Sequence, residues 1–557
     1  MKKKLAIFTA AIAAFTGVAG AGCNKKAANG AETLEIFIAD YGYGYEWLED
    51  QIALFKEQSW VKEKYPNLDI PKLKTNNSDR EYALSRVVAG NSNTIDLFFS
   101  CQSAGVYSNK TDPSTGKSYF EDLTGVYESS VPGESVTLKE KMLADVYRDY
   151  KVTTTSGETA YYGMPWVNGY MGLLYNKTLL KQTLGENYAM PRTTKELARM
   201  AEDIKTASNN AIAPFIFSAS ANYWMSMFQT WWAQYDGIEG YKVFWNGIID
   251  DEYSSEIFNN NDLEGKKSKY RGRYESLKAI ESLIGKETGN VHGTSSEYIY
   301  SEAQKEFLKG KGMMMPNGDW FDMEMSKMGN VNPNNYEVTF MKTPVISTLI
   351  NELKGVKDDF ALGYVVDCVD GNKTYAEAKS GYESEKSKFA AASQGELSEE
   401  DYNRVKEARG VMYRLEGHDA YIPAYATGKE AAKDFLRFLA TDVSIGRFMK
   451  STKGCVTAYT YGAENSPLWN EISTMQKDHI KYYYSGVQLP IYTSFKLAYF
   501  GGLTPLTQTP RIDYAFVAQS ETDRTSPEKM IADDYNYFAG DNDANFKLLL
   551  TKAGINA

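Results

Sequence analysis

The stretch from Tyr161 to Lys177, YYGMPWVNGYMGLLYNK, sets the tightest limit on how this chain can fold. Pro165 pushes Met164 toward extended backbone. Gly163, Gly169 and Gly172 admit backbone angles closed to other residues. The segment then becomes an apolar strand at Leu173-Leu174-Tyr175. An extended, aromatic, glycine-broken segment running into a strand suits a chain passing from one rigid body to another. A helical pattern over 195–207 follows, with Thr193 or Thr194 as its cap and Glu196 in its first turn.

The flanking sequence alternates strands and helices, which predicts an α/β protein. Leu34 to Ala39 reads as a strand, followed by the loop Asp40-Tyr41-Gly42-Tyr43-Gly44-Tyr45 and a helix from about Glu46. In open α/β sheets ligands bind at the carboxyl ends of strands, so this loop is a candidate site. It has no GxGxxG and no GK[ST] element, which excludes a phosphate loop. Tyr41 and Tyr43 offer stacking faces and hydroxyls, and Tyr45 serves equally well as a staple under the helix. Residues 68–73 read as a second strand and 79–90 as an amphipathic helix. Residues 94–100 read as a buried strand, with Gln102 on the loop after it. A strand over 213–218 leads into a helix over 221–237. Asn222, Tyr223 and Trp224 stand at that helix's start, and Trp231 and Trp232 lie inside it as core. Further on, a helix stops at Gly310, a short strand runs through Met313–Met315, and Asn317-Gly318-Asp319-Trp320 presents an indole at the strand's end.

These marks, in this order, resemble the solute-binding proteins of bacterial carbohydrate ABC importers. The resemblance rests on YG-x-P before a strand ending Tyr175-Asn176-Lys177, on P-x-T-x-x-E-L at Pro191–Leu197, and on the F-x-x-G-K and N-G-x-W steps at Phe307–Lys311 and Asn317–Trp320. Lys429 to Ala440, Thr441-Asp442 and Gly454 to Ala458 add the family's later marks, with Val456-Thr457 where Ile-Pro is usual. The resemblance implies a periplasmic-binding-protein-like fold: two α/β lobes, a hinge, and a ligand cleft between them. It places residues 33–167 and 412–441 in the first lobe, and 168–411 and 442–557 in the second. A charged insert over about 346–410 matches nothing in the family pattern. Its part from Lys373 to Arg409 reads as an exposed helical hairpin, with acidic and basic residues interspersed.

Residues 1–22 read as a leader: Lys2-Lys3-Lys4, an apolar run, then Gly20-Ala21-Gly22. Cys23 follows at once, and 23–32 reads as a polar tether. This resembles a lipoprotein processing site, which implies a lipid on Cys23 and a place on the outer face of the cell membrane. The departure is Gly20, where an aliphatic residue is usual. The other cysteines, Cys101, Cys368 and Cys455, form no CxxC pair and are expected as free thiols. The three histidines are far apart, so no metal site is expected. The net charge of −11, with no basic block, argues against nucleic acid as a partner.

Sugar recognition needs flat rings against pyranose C–H faces and planar polar groups for the hydroxyls. The candidate loops offer Asp40, Gln102, Asn168, Asn222, Asp319 and Asp419 for the second task. They offer Tyr41, Tyr43, Trp166, Tyr223, Trp224 and Trp320 for the first. No nucleophile elbow or metal motif is present, so a binding protein without cofactor is expected rather than an enzyme. The expected partners are an oligosaccharide, permease subunits of the importer, and the membrane through Cys23, with the protein acting as a monomer. The same fold with a non-sugar solute, or a secreted carbohydrate-active enzyme, is the alternative.

Overall fold

Three passages of chain, hydrogen-bonded side by side, join two β-sheets in the computed structural model. It describes residues 32–555 apart from 41, 72, 77–86, 88–93, 101–110, 113, 155–156, 260–269, 394, 463, 465–466 and 510. The first sheet has the order Lys74–Asn76, Ile36–Ala39, Leu97–Ser100, Asp419–Tyr421, Met164–Pro165. Its first three strands are parallel, and Asp419–Tyr421 runs antiparallel to both of its neighbours. The second sheet has the order Val338–Met341, Asn168–Asn176, Gly312–Gly318, Ala213–Phe215, with Arg414–Glu416 paired to the start of Asn168–Asn176. The stretch from Tyr161 to Lys177 therefore does leave one sheet and enter the other. Asn176 at its end caps helix Lys177–Leu184 by accepting from Leu179 N at 2.9 Å. Thr193 caps helix Thr194–Ala207, and the Glu196 carboxylate reaches back to Arg192 N at 2.8 Å.

The second passage returns through Gly417 and His418. Trp166 N and Val167 N both donate to His418 O at 3.1 Å. The third passage runs through Val456–Ala458: Asn168 N donates to Val456 O at 3.2 Å and Ala458 N to Trp166 O at 2.9 Å. Passages this close leave no room for side chains. A Cβ on Gly417 would lie 2.2 Å from the Val167 carbonyl oxygen, and one on Gly163 would lie 2.7 Å from the Tyr421 ring. Gly417→Ala is expected to lower stability by about 1–3 kcal/mol, as overpacking does, read as a lower urea midpoint. Gly410→Ala, whose Cβ would meet nothing nearer than 3.8 Å, is the control and should shift little.

Several sequence expectations change. The second strand forms at Lys74–Asn76 rather than over 68–73, because Pro71 has no N–H to give to a ladder. Helix Asp442–Ser451, expected in the second lobe, packs on helix Glu46–Glu57 of the first. Gln51 Nε2 donates to Ser444 O at 3.0 Å, and Phe448 meets Trp47 edge-on at 5.2 Å. The chain thus changes lobe near 456–458, not at 441. The insert holds helix Asp359–Asp370 and, over 373–409, the two helices expected there, Tyr375–Glu385 and Glu399–Gly410, but these two are packed against the lobe rather than exposed. Ala378, Tyr382, Tyr402, Val405 and Ala408 turn inward and are buried. Arg404 bonds the Tyr235 carbonyl at 2.9 Å, near the end of the first part of helix Trp224–Asn246, which breaks at Gly237. Most charge lies on the outer faces, and the buried Asp401 and Arg409 are hydrogen-bonded, so composition alone overstates the exposure. Trp231 and Trp232 are core, as expected. Cys368 and Cys455 are buried free thiols. Cys23, Cys101 and almost all of the helix expected over 79–90 lie outside the described residues. Among the described residues no helix is long and apolar enough to cross a membrane.

Candidate functional site

The carboxyl end of strand Ile36–Ala39 meets the carboxyl end of strand Gly312–Gly318 across the junction of the lobes. Trp320 stands there, at the start of helix Phe321–Ser326. Its six-membered ring folds back over Gly318, where a Cβ would sit 2.3 Å from it. This gives the N-G-x-W step a physical reason: any side chain at position 318 displaces the indole. From the first lobe, Gly42 lies against the same indole, with a Cβ position 3.3 Å from Trp320 Cγ. Tyr43 meets Trp320 edge-on, with ring centroids 5.9 Å apart and planes at 86°. Tyr223, from the loop before helix Trp224–Asn246, meets it at 6.2 Å and 68°. Asp40 and Asn222, both half-buried, lie on the same two loops. Asn222 adopts the left-handed region at φ 57°.

Tyr43, Tyr223 and Trp320 are therefore brought together, with Asp40 and Asn222 on the loops that carry them. Other candidates fall elsewhere. Trp224 is fully buried against Phe215 and Phe217. Trp166 is buried against Trp47 and Phe448. Asn168 lies inside the hinge, donating to the Tyr483 hydroxyl and accepting from Arg414 at 3.4 Å. Asp419 is buried and accepts from the Tyr150 hydroxyl at 2.6 Å. Asp319, by contrast, adjoins the cluster from below: it is fully buried in the turn after strand Gly312–Gly318, and its carboxyl accepts from the Tyr43 hydroxyl. Tyr41 and Gln102 lie outside the described residues.

Two histidines that sequence reasoning passed over help to build the junction. His418 Nε2 donates to Ala39 O at 2.7 Å, and its ring packs on Tyr43 and Trp47. It thereby anchors the strand end from which Asp40 springs. His479 is fully buried, stacks on Tyr170 at 4.9 Å, and places Nε2 3.7 Å from Asp319 Oδ2. For His418 the local signal was its place just before the strand Asp419–Tyr421; for His479 there was none.

Burial pushes the Asp319 carboxyl up to about 8, although Val456 N and the Tyr43 hydroxyl pull it down. Burial pushes His479 down to about 3. At neutral pH the pair is thus an acid holding its proton beside an uncharged imidazole. The folded state binds more protons at Asp319 than the unfolded chain between pH 3.8 and 8, so that group makes stability fall as pH rises. His479 does the reverse between pH 3 and 6.5. The two slopes oppose each other below 6.5, and the Asp319 slope stands alone from 6.5 to 8. Asp319→Asn should flatten the fall in melting temperature across that upper window, measured by thermal melts at stepped pH.

A groove of about 680 Å³ opens next to helix Phe321–Ser326 and is lined by Asp322, Met325, Lys453 and Ser473 among others. No group of three metal-ligating side chains occurs among the described residues.

The family model for the bacterial extracellular solute-binding protein matches residues 83–476, well over half of the chain. This chain is a bacterial extracellular solute-binding protein. The match runs through the three-helix insert. Solved solute-binding proteins share the fold. The GacH receptor of Streptomyces glaucescens, solved unliganded and with acarbose, superposes with a TM-score of 0.54 at 14% identity, covering 94% of this chain and 99% of that one. RafE from Streptococcus pneumoniae, in its apo form, gives 0.55 at 14% identity, covering 91% and 97%. A chitin oligosaccharide binding protein gives 0.53 at 15% identity, covering 93% and 100%. At these identities the likeness is one of fold. No curated protein sequence matches this solute-binding protein.

Proposed function

We propose that this solute-binding protein captures an oligosaccharide between its lobes and delivers it, unaltered, to the permease of a bacterial ABC importer. The observation that carries the reading is the meeting of Tyr43, Trp320 and Tyr223 at the lobe junction, with Asp40 and Asn222 on the same loops. Rings flanked by planar polar groups suit the two faces of a pyranose. Three backbone passages between two rigid sheets allow hinge closure of the kind known in periplasmic binding proteins. The acarbose complex of GacH and the chitin oligosaccharide binding protein support the substrate class. The protein acts as a monomer, without cofactor, on the outer face of the membrane through a lipid on Cys23.

The test is a tryptophan-fluorescence titration with maltotriose, chitotriose, xylotriose and raffinose, paired with small-angle scattering. A saturable signal with a smaller radius of gyration and recovery of intact sugar is expected. Silence with all four, together with a thermal-shift response to a peptide, polyamine or other non-sugar solute, transfers the fold to that other ligand. A new reducing end shows an enzyme. Cys23→Ser should move the protein from the membrane fraction to the medium, read by fractionation and immunoblot.

A further inference from the structure

Helix Trp224–Asn246 begins without a cap of its own. Tyr223, which precedes it, already has helical angles, φ −73° and ψ −21°, and its side chain makes no capping bond. Asn222 before it is left-handed. The first N–H groups of a helix need acceptors from outside. Here a residue 289 positions downstream supplies them: Trp224 N donates to Asp513 Oδ1 at 3.0 Å and to Oδ2 at 3.3 Å. Tyr223 N donates to the same carboxyl. Asp513 is fully buried on the short helix Ile512–Ala515. That helix is tied down in turn: Thr525 N donates to Ala515 O at 3.2 Å, and Lys286 N to Phe516 O at 3.0 Å. Burial pushes the Asp513 carboxyl up while the N–H bonds hold it down. Acceptance needs only its lone pairs, which both protonation states offer. Tyr223 is thus gripped at its backbone from below, while its ring reaches Trp320 above.

We propose that Asp513 is a positioning residue for the ligand face, fixing the turn that sets Asn222 and Tyr223 beside Trp320. The proposal rests on the sugar-binding reading of that face. It also assigns a task to the segment that carries helix Ile512–Ala515.

The test is a double-mutant cycle of Asp513→Ala with Tyr223→Ala, read as Kd for the tightest of maltotriose, chitotriose, xylotriose and raffinose. Asp513→Ala should weaken binding about tenfold alone and less than twofold in the Tyr223→Ala background, a coupling typical of residues acting as a unit. Asp513→Asn, which keeps an acceptor oxygen, should stay within about threefold of the parent. An equal loss in both backgrounds, or no loss, overturns the proposal. A ligand-free arm separates it from the sugar reading: hydrogen exchange at the Tyr223 and Trp224 amides. Asp513→Ala should speed exchange there at least about tenfold and leave helix Lys429–Leu439 unchanged. If no sugar binds the native protein, the substrate reading falls while this arm still decides the positioning role, and unchanged exchange ends it. Should the alanine variant not fold, Asp513→Ser carries the same cycle.

Discussion

Trp320→Ala will weaken oligosaccharide binding by at least about thirtyfold. Buried aromatic anchors at the centre of a binding face cost about 2 kcal/mol or more when truncated, and about 1.4 kcal/mol is a decade in Kd. Trp320 is touched from both lobes, through Gly42 and Tyr43 on one side and Tyr223 on the other. Its loss removes the proposed stacking surface and also the contact between the lobes. Trp320→Phe keeps a smaller flat ring and should recover part of the affinity. The indole also fills space over Gly318, so the variant loses stability. Binding is therefore measured by calorimetry at a temperature where a urea titration shows the variant fully folded. Native-like affinity in folded Trp320→Ala places the ligand elsewhere on the molecule.

Asp534→Ala will destabilise the second lobe by about 3–5 kcal/mol, the usual cost of removing one partner from a buried ion pair. Arg273 is fully buried, and its guanidinium binds Asp534, donates through Nε to Pro505 O at 3.1 Å, and lies 4.6 Å from the Phe244 ring centre. Asp534 Oδ1 also accepts from Thr507 N and Gln508 N, both at 3.0 Å. Truncation leaves a buried cation and two backbone donors without their acceptor. Asp534→Asn keeps an oxygen for those donors and should lose less. Urea unfolding followed by tryptophan fluorescence reads both variants. A loss below about 1 kcal/mol shows that water reaches Arg273 once the carboxylate is gone. The pair joins helix Gly272–Ile284 to the first part of the C-terminal helix Pro527–Lys552, which breaks at Gly540–Asp543, so it also holds the segment that carries Asp513.

Much of the frame is legible in local sequence, because local rules produce it. Pro165 and the glycines after it mark an extended crossing, and the crossing is there. Thr193 with Glu196 reads as a helix start, and both make the expected bonds. Gly318 two residues before Trp320 is a steric requirement written directly into the chain. The site was less legible. Tyr223 and Trp224 are adjacent and equally aromatic, yet one faces the lobe junction and the other fills the core. Residue type does not say which side of a turn is buried.

The amino-acid sequence on its own determined the α/β class, the hinge stretch, the order of strands and helices, and the indole at a strand's end. Each follows from torsional limits and periodicities that span a few residues. Only the tertiary structure decided that helix Asp442–Ser451 belongs with the first lobe, that His418 anchors the Ala39 strand end, and that Asp513 caps a helix far upstream. Those contacts join segments hundreds of residues apart. They depend on sheet order and on which face each strand turns inward, and a one-residue change of register would exchange every such partner.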